Sequence, residues 1–159
     1  MVGTARRTRN VALLEAPLYT VYRAFVEPDL VATWLAPDGM TAHVHEFDAR
    51  EGGEVRISLR YPAGSSEAGK SGDGRDVYRA RFIELEPYSR IVEAITFDSD
   101  DPRFAGEMRM TVSLVEARPG TRLTLDFDDI PPGIDVDANR LGTQQALEKL
   151  AALVDRRAC

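Results

Sequence analysis

The segment GSSEAGKS, Gly64 to Ser71, satisfies the G-x-x-x-x-G-K-[ST] pattern of a phosphate-binding loop. Farther on, LTLDFDD (123–129) supplies the apolar run ending in carboxylates that would hold a magnesium ion in such a site. That chemistry requires the loop to leave a parallel strand and end on a helix N-terminus, whose amides and dipole face the phosphates. Here Gly72, Asp73 and Gly74 follow and a strand pattern resumes, while Glu67 puts a negative charge where the phosphates would sit. The segment reads as part of a flexible loop over 62–74, not as a nucleotide site.

His43 and His45, the only histidines, stand two apart in a strand pattern and so share a face, from which both can reach one zinc ion. Alternation turns Glu46 to the other face and leaves no third ligand nearby, so no metal is expected. If the histidine face looks inward, His45 can hydrogen-bond a ligand or act as a base. The acids at 98–101 and 126–137 do not have the spacing of a calcium loop and read as solvated and capping groups. Cys159 is the lone cysteine and the last residue, and the two histidines share a strand, so neither a Cys/His nor a Ser/His/Asp set can be assembled. Glu93 shares a face with Ile91 and Ile95 in RIVEAITF. Either that face is buried, and the carboxyl needs a partner such as Arg79 or a ligand group, or Val92 and Ala94 point inward instead.

The elements that must position these residues are legible from periodicity. A strand over 7–16 stops at Pro17; Val21, Tyr22, Phe25 and Val26 then recur at helical spacing, Pro28 breaks the run, and Leu30, Val31, Trp34 and Leu35 continue as a second short helix. From residue 40 the period becomes two. Strands are predicted over 41–49, 54–61, 77–86, 90–100, 106–117 and 121–130, with short links that make neighbours antiparallel. A last helix starts at an Asp135 or Asp137 cap and runs to about Arg157, with Leu141, Leu147, Leu150, Ala151 and Val154 on one face. This order predicts an α+β arrangement, a curved antiparallel sheet of about seven strands wrapped around the long C-terminal helix. A helix about 10–12 Å wide cannot fill that hollow, so a cavity is expected beside it.

The run from Pro17 to Arg60 resembles the N-terminal signature of the START-like (SRPBCC, helix-grip) superfamily, and more narrowly the homologues of the activator of heat-shock-protein-90 ATPase. The residues that carry the resemblance are Pro17, Val21, Phe25, Pro28, Leu30, Trp34, Pro37, Gly39, Asp48, Gly52 and Gly53. Pro87, Arg90, Gly120 to Leu123 and the helix over Ala146 to Leu153 extend it along nearly the whole chain. The resemblance implies a helix-grip fold with a ligand cavity between sheet and C-terminal helix, and it carries no catalytic motif. It also implies two alternatives to plain binding: a polyketide cyclase or dehydratase using the same cavity, or a regulator of a chaperone ATPase. Two departures stand out: Leu35-Ala36 where relatives carry an aromatic and a glycine before the proline, and Gly142-Thr143 where Gly-Trp often enters the last helix. Losing that Trp would enlarge the cavity or alter its mouth.

At 159 residues, 43% hydrophobic and 29% charged, the chain has the balance of one globular domain over 1–159. The net charge of −6 comes with scattered basic residues, which argues against nucleic acid and anionic membranes as partners. The apolar stretch Val11 to Leu14 is too short for a signal peptide or a membrane span, and one cysteine gives no sign of an oxidising compartment, so a cytoplasmic monomer or homodimer is expected. The function expected is non-catalytic binding of a small apolar or aromatic ligand, without a cofactor. Its predicted contacts are Trp34, His45, Val55, Ile57, Leu59, Tyr61, Tyr78, Met110, Leu147 and Leu150, chosen as apolar alternation with a few polar handles.

Overall fold

The computed structural model describes residues 6–157; Cys159 lies outside the described residues. Seven strands form one antiparallel sheet: β1 (Thr8–Leu14), β2 (Thr41–Phe47), β3 (Glu54–Arg60), β4 (Arg75–Glu86), β5 (Arg90–Phe97), β6 (Met108–Glu116) and β7 (Thr121–Asp128). Their spatial order is β1-β7-β6-β5-β4-β3-β2. Two short helices, α1 (Leu18–Val26) and α2 (Pro28–Trp34), carry the chain from the β1 edge to the β2 edge, and α3 (Val136–Arg157) closes the fold. This is the helix-grip arrangement, a curved sheet around a long C-terminal helix.

Local sequence accounts for the joints. Pro28 at the first turn of α2 ends α1 and starts α2, because its ring fixes φ and it has no N–H to continue the ladder. In the β2–β3 turn a Cβ on Gly53 would stand 2.0 Å from the Asp48 carbonyl oxygen, so only glycine allows the approach. β5 stops at Phe97, short of the predicted 100, and residues 102–104 make a single 3-10 turn opened by Pro102 and capped by Asp101, whose Oδ1 accepts from the Arg103 amide at 2.9 Å. Asp135 rather than Asp137 caps α3: its Oδ1 accepts from the Asp137 amide at 2.8 Å.

The register settles which face of each strand is inside. Glu93 lies opposite Phe82 on β4 and Met110 on β6, in the row of Ile91 and Ile95. Bulges between Val44 and Glu46 and between Phe82 and Glu84 help the sheet curve. The first bulge also overturns the expectation for Glu46. The extra residue, His45, pairs Glu46 with Arg56, two positions from His43's partner Ser58, and thus on the histidine face. The core lies between the concave face of the sheet, α3 and the α1–α2 pair, with Phe82, Ile57, Ile91, Leu123 and Leu150 among its largest sealed side chains.

Leu141 departs from the expected gripping face and is 57% exposed. Ala146, Leu147, Leu150 and Val154 are buried at helical spacing, whereas the six residues from Leu141 to Leu147 advance the helix by about 600°, so Leu141 points about 120° away. Polar ties then fix α3 along its length. Asp155 Oδ1 accepts from the amides of Glu15 at 3.0 Å and Ala16 at 3.1 Å, Lys149 Nζ donates to the Ala36 carbonyl, and Asn139 Oδ1 accepts from the Thr8 hydroxyl at 2.8 Å.

Candidate functional site

A cavity of about 860 Å³ lies between the concave face of the sheet and the N-terminal half of α3. Its buried floor is built by strand alternation on neighbouring strands, Tyr78 on β4, Glu93 and Ile95 on β5 and Met108 and Met110 on β6, with Trp34 of α2 and Leu147 of α3 as walls. Trp34 packs edge-on against Phe25 at 4.8 Å between centroids and donates its indole N–H to the Ala24 carbonyl at 2.8 Å, so the polar edge is satisfied and the ring is free to serve as wall. The rim is drawn from segments distant in sequence: Asp38 after α2, Pro62 and Glu67 to Lys70 between β3 and β4, Asp101 to Phe104 between β5 and β6, and Asp135 to Gly142 of α3. Gly142 faces the α2–β2 turn, where a Cβ would make ordinary contact with Pro37 Cγ at 3.5 Å. Thr143, where relatives often carry Trp, also lines the cavity.

Of the residues expected at the site, Trp34, Leu59, Tyr61, Tyr78, Met110 and Leu147 line this cavity. Val55, Ile57 and Leu150 are sealed core residues that do not reach it. His45 stands on the opposite face of the sheet. Its Nε2 is 2.6 Å from the Ser58 hydroxyl and its ring is 4.5 Å from that of His43, beside α2 residues Pro28, Asp29 and Ala32. Partial burial, then the nearby Arg56, His43 and Arg75, hold its imidazole below the ordinary pKa. The alternation had both histidines on one face, as found; which face that was depended on the register with Ser58. Among the described residues no group of three or more His, Cys, Asp or Glu is placed to hold a metal ion.

The polar groups of the cavity are acidic. Asp76, its side chain 5% exposed, accepts from the Lys70 backbone amide at 2.6 Å and from Lys70 Nζ at 3.0 Å. Beside it, burial first and then Asp76 push the Tyr61 phenol up to about 12. Glu93 is different: it is 6% exposed, and among the described residues its carboxyl makes no hydrogen bond or ion pair. Arg79, the partner considered from the sequence, is on the outer face and bonds Asp98 at 2.8 Å. Burial alone raises the Glu93 carboxyl to about 7, and burial followed by the nearby Glu93 raises the Tyr78 phenol well above its usual value.

Lys70 and its neighbours also decide the fate of the phosphate-loop pattern. The 64–71 segment sits in the β3–β4 connection and leads through Gly72–Gly74 into β4, with no helix following. Its second half is pinned rather than loose: Ser71 Oγ donates to the Asp98 carbonyl and accepts from the Val77 amide at 2.8 Å. Lys70 is committed to Asp76. Calorimetry with magnesium and ATP or GTP is therefore expected to show no saturable heat at sub-millimolar nucleotide; binding abolished by Lys70→Ala is the contrary result.

The family described as Activator of Hsp90 ATPase homolog 1-like protein matches residues 15–155. The chain belongs to this family. A crystal structure of a protein from Chromobacterium violaceum is similar at 34% identity and a TM-score of 0.84, covering 94% of this chain and 97% of that one. A Rhodobacter sphaeroides protein is similar at 21% identity and a TM-score of 0.77, covering 95% and 93%. DynU16, a protein of the dynemicin biosynthetic locus, shares the fold at 21% identity and a TM-score of 0.68, over 96% of this chain and 48% of that one. No curated protein matches the sequence. Among the described residues no helix is long and apolar enough to cross a membrane.

Proposed function

We propose that this protein holds a small, mostly apolar ligand in the cavity between sheet and α3, without catalysis. The observation that carries the reading is the space itself: about 860 Å³, within the size range of small-molecule sites, over a floor that includes Ile95, Met108 and Met110 and beside the wall formed by Leu147. The two methionines add a pliable wall suited to ligands of varied shape. The test is titration with the neutral apolar dye N-phenyl-1-naphthylamine, whose fluorescence should rise saturably with one site per chain. Leu59→Trp, which projects a larger ring from the half-buried wall, is expected to weaken the dye at least about 10-fold, since it fills space the dye needs. His45→Gln, on the far face, should leave affinity within about twofold, well below the effect of a lost hydrogen bond to ligand. Absence of saturable binding, or equal losses in both variants, overturns the reading.

A second reading, an acid–base enzyme on the same cavity, is favoured by one observation, a Glu93 carboxyl near 7 that can both give and take a proton at neutral pH. Turnover of an aromatic polyketide substrate, lost in Glu93→Gln while dye affinity is kept, would replace the carrier reading.

A further inference from the structure

Resting on the reading that the cavity holds an apolar ligand, we infer that this ligand carries a basic nitrogen, bound as its ammonium form with Glu93 as counter-ion, and that the site rejects organic anions. Glu93 is a buried carboxyl, 6% exposed, that faces the cavity and makes no hydrogen bond or ion pair among the described residues. The cations on neighbouring strands cannot serve. Arg79 and Arg81 lie on the outer face, the first bonded to Asp98 and the second 4.0 Å from Glu107. The groups packed around Glu93 are Tyr78, Phe82 and Met110 of the flanking strands, and only the Tyr78 phenol among them titrates. An ionised carboxyl in such a place is stabilised by pairing, and an ammonium-bearing ligand supplies the cation that the neighbouring strands do not.

The rest of the lining points the same way. Six carboxylic side chains border the cavity, Asp38, Glu67, Asp76, Glu93, Asp101 and Asp135, against two cations, Lys70 and Arg103. Both cations are already taken, Lys70 by Asp76 at 3.0 Å and Arg103 by Asp101 at 2.7 Å. The cleft thus presents a negative potential, focused by apolar walls, that draws in a cation and repels an anion. Aromatic faces add to this: Lys70 Nζ already sits 5.1 Å from the centroid of Phe97, whose ring lies beside that of Tyr78. An apolar amine satisfies both halves of the site, its hydrocarbon over Met108, Met110 and Leu147 and its ammonium at Glu93.

The test uses three probes of one chain length, decylamine, decanol and decanoate, each below its micellar concentration at pH 7.5, displacing N-phenyl-1-naphthylamine from the protein. Decylamine is expected to bind at least about 10-fold tighter than decanol, the scale of a hydrogen bond to a charged group, with decanoate weakest. In Glu93→Gln the amine should lose that advantage while decanol stays within about twofold. The rise in melting temperature of the unaltered protein with each probe gives the same ranking without relying on the variant. Decanol equal to decylamine, or an amine advantage that survives in Glu93→Gln, overturns the amine inference and leaves the cavity reading standing. Failure of the dye and of all three probes to bind overturns both.

Discussion

Leu150→Ala should lower the free energy of unfolding by about 2–5 kcal/mol, the range for truncating a sealed core leucine. Leu150 is 0% exposed, at the middle of the α3 face that grips the sheet, flanked at helical spacing by Ala146, Leu147 and Val154. Truncation removes methyl groups from contact on all sides and leaves a void in a close-packed core whose other side chains are held in place by their own packing. Glu148→Ala is the control. That residue is exposed and bonds only Gln144 one turn back, at 3.3 Å, so its loss should change stability by less than about 0.5 kcal/mol. Urea midpoints measured at constant m-value make the comparison. Equal shifts would mean that α3 grips the sheet through a different face.

The second large effect is on pH dependence and centres on Glu93. Its carboxyl is raised from 4.5 to about 7 by burial, so in this range the folded state binds more protons than the unfolded chain. Stability therefore falls as pH rises: the contribution is fully present below about 4.5 and is lost as pH climbs through 7. The loss is on the order of 3 kcal/mol once both states are ionised, from about 1.4 kcal/mol for each pH unit of displacement. Glu93→Gln removes the titrating group while keeping its shape, so the gap between variant and unaltered protein should open between about pH 4.5 and pH 7 and level off above that. Asp101, held low by Arg103, acts in the opposite sense at acid pH, and comparing the two proteins at each pH cancels it. A gap that stays constant across the range would show that the Glu93 carboxyl is solvated.

The same carboxyl marks the limit of what alternation reveals. In RIVEAITF both rows are buried, Ile91, Glu93 and Ile95 on one side and Val92 and Ala94 on the other, because β5 is the central strand and long side chains of its neighbours cover even its outer face. With no polar row to mark the wet side, a period of two has no phase. His45 failed for a related reason. Its identity invited a role in the cavity, yet its side chain meets Ser58, in the row that points away from the cavity, and no feature within the strand tells which side α3 will cover. Glu46 changed faces through a one-residue bulge that leaves no mark in the residue types.

What the residues determined by themselves is what short-range physics controls. Pro17 and Pro28 bound the helices, period-two patterns over 41–130 make the strands, and short links make them antiparallel; a terminal amphipathic helix with one sheet to cover leads to the grip. Tertiary structure alone decided the phase and the sum: which face of each strand looks inward, that Leu141 sits on the rim and Leu150 in the core, and that Asp38, Glu67, Asp76, Glu93, Asp101 and Asp135 meet around one space. The reason is range. Backbone sterics and periodicity act over a few residues, whereas a face becomes interior, and a carboxyl loses its water, only when segments up to about a hundred residues apart close over it.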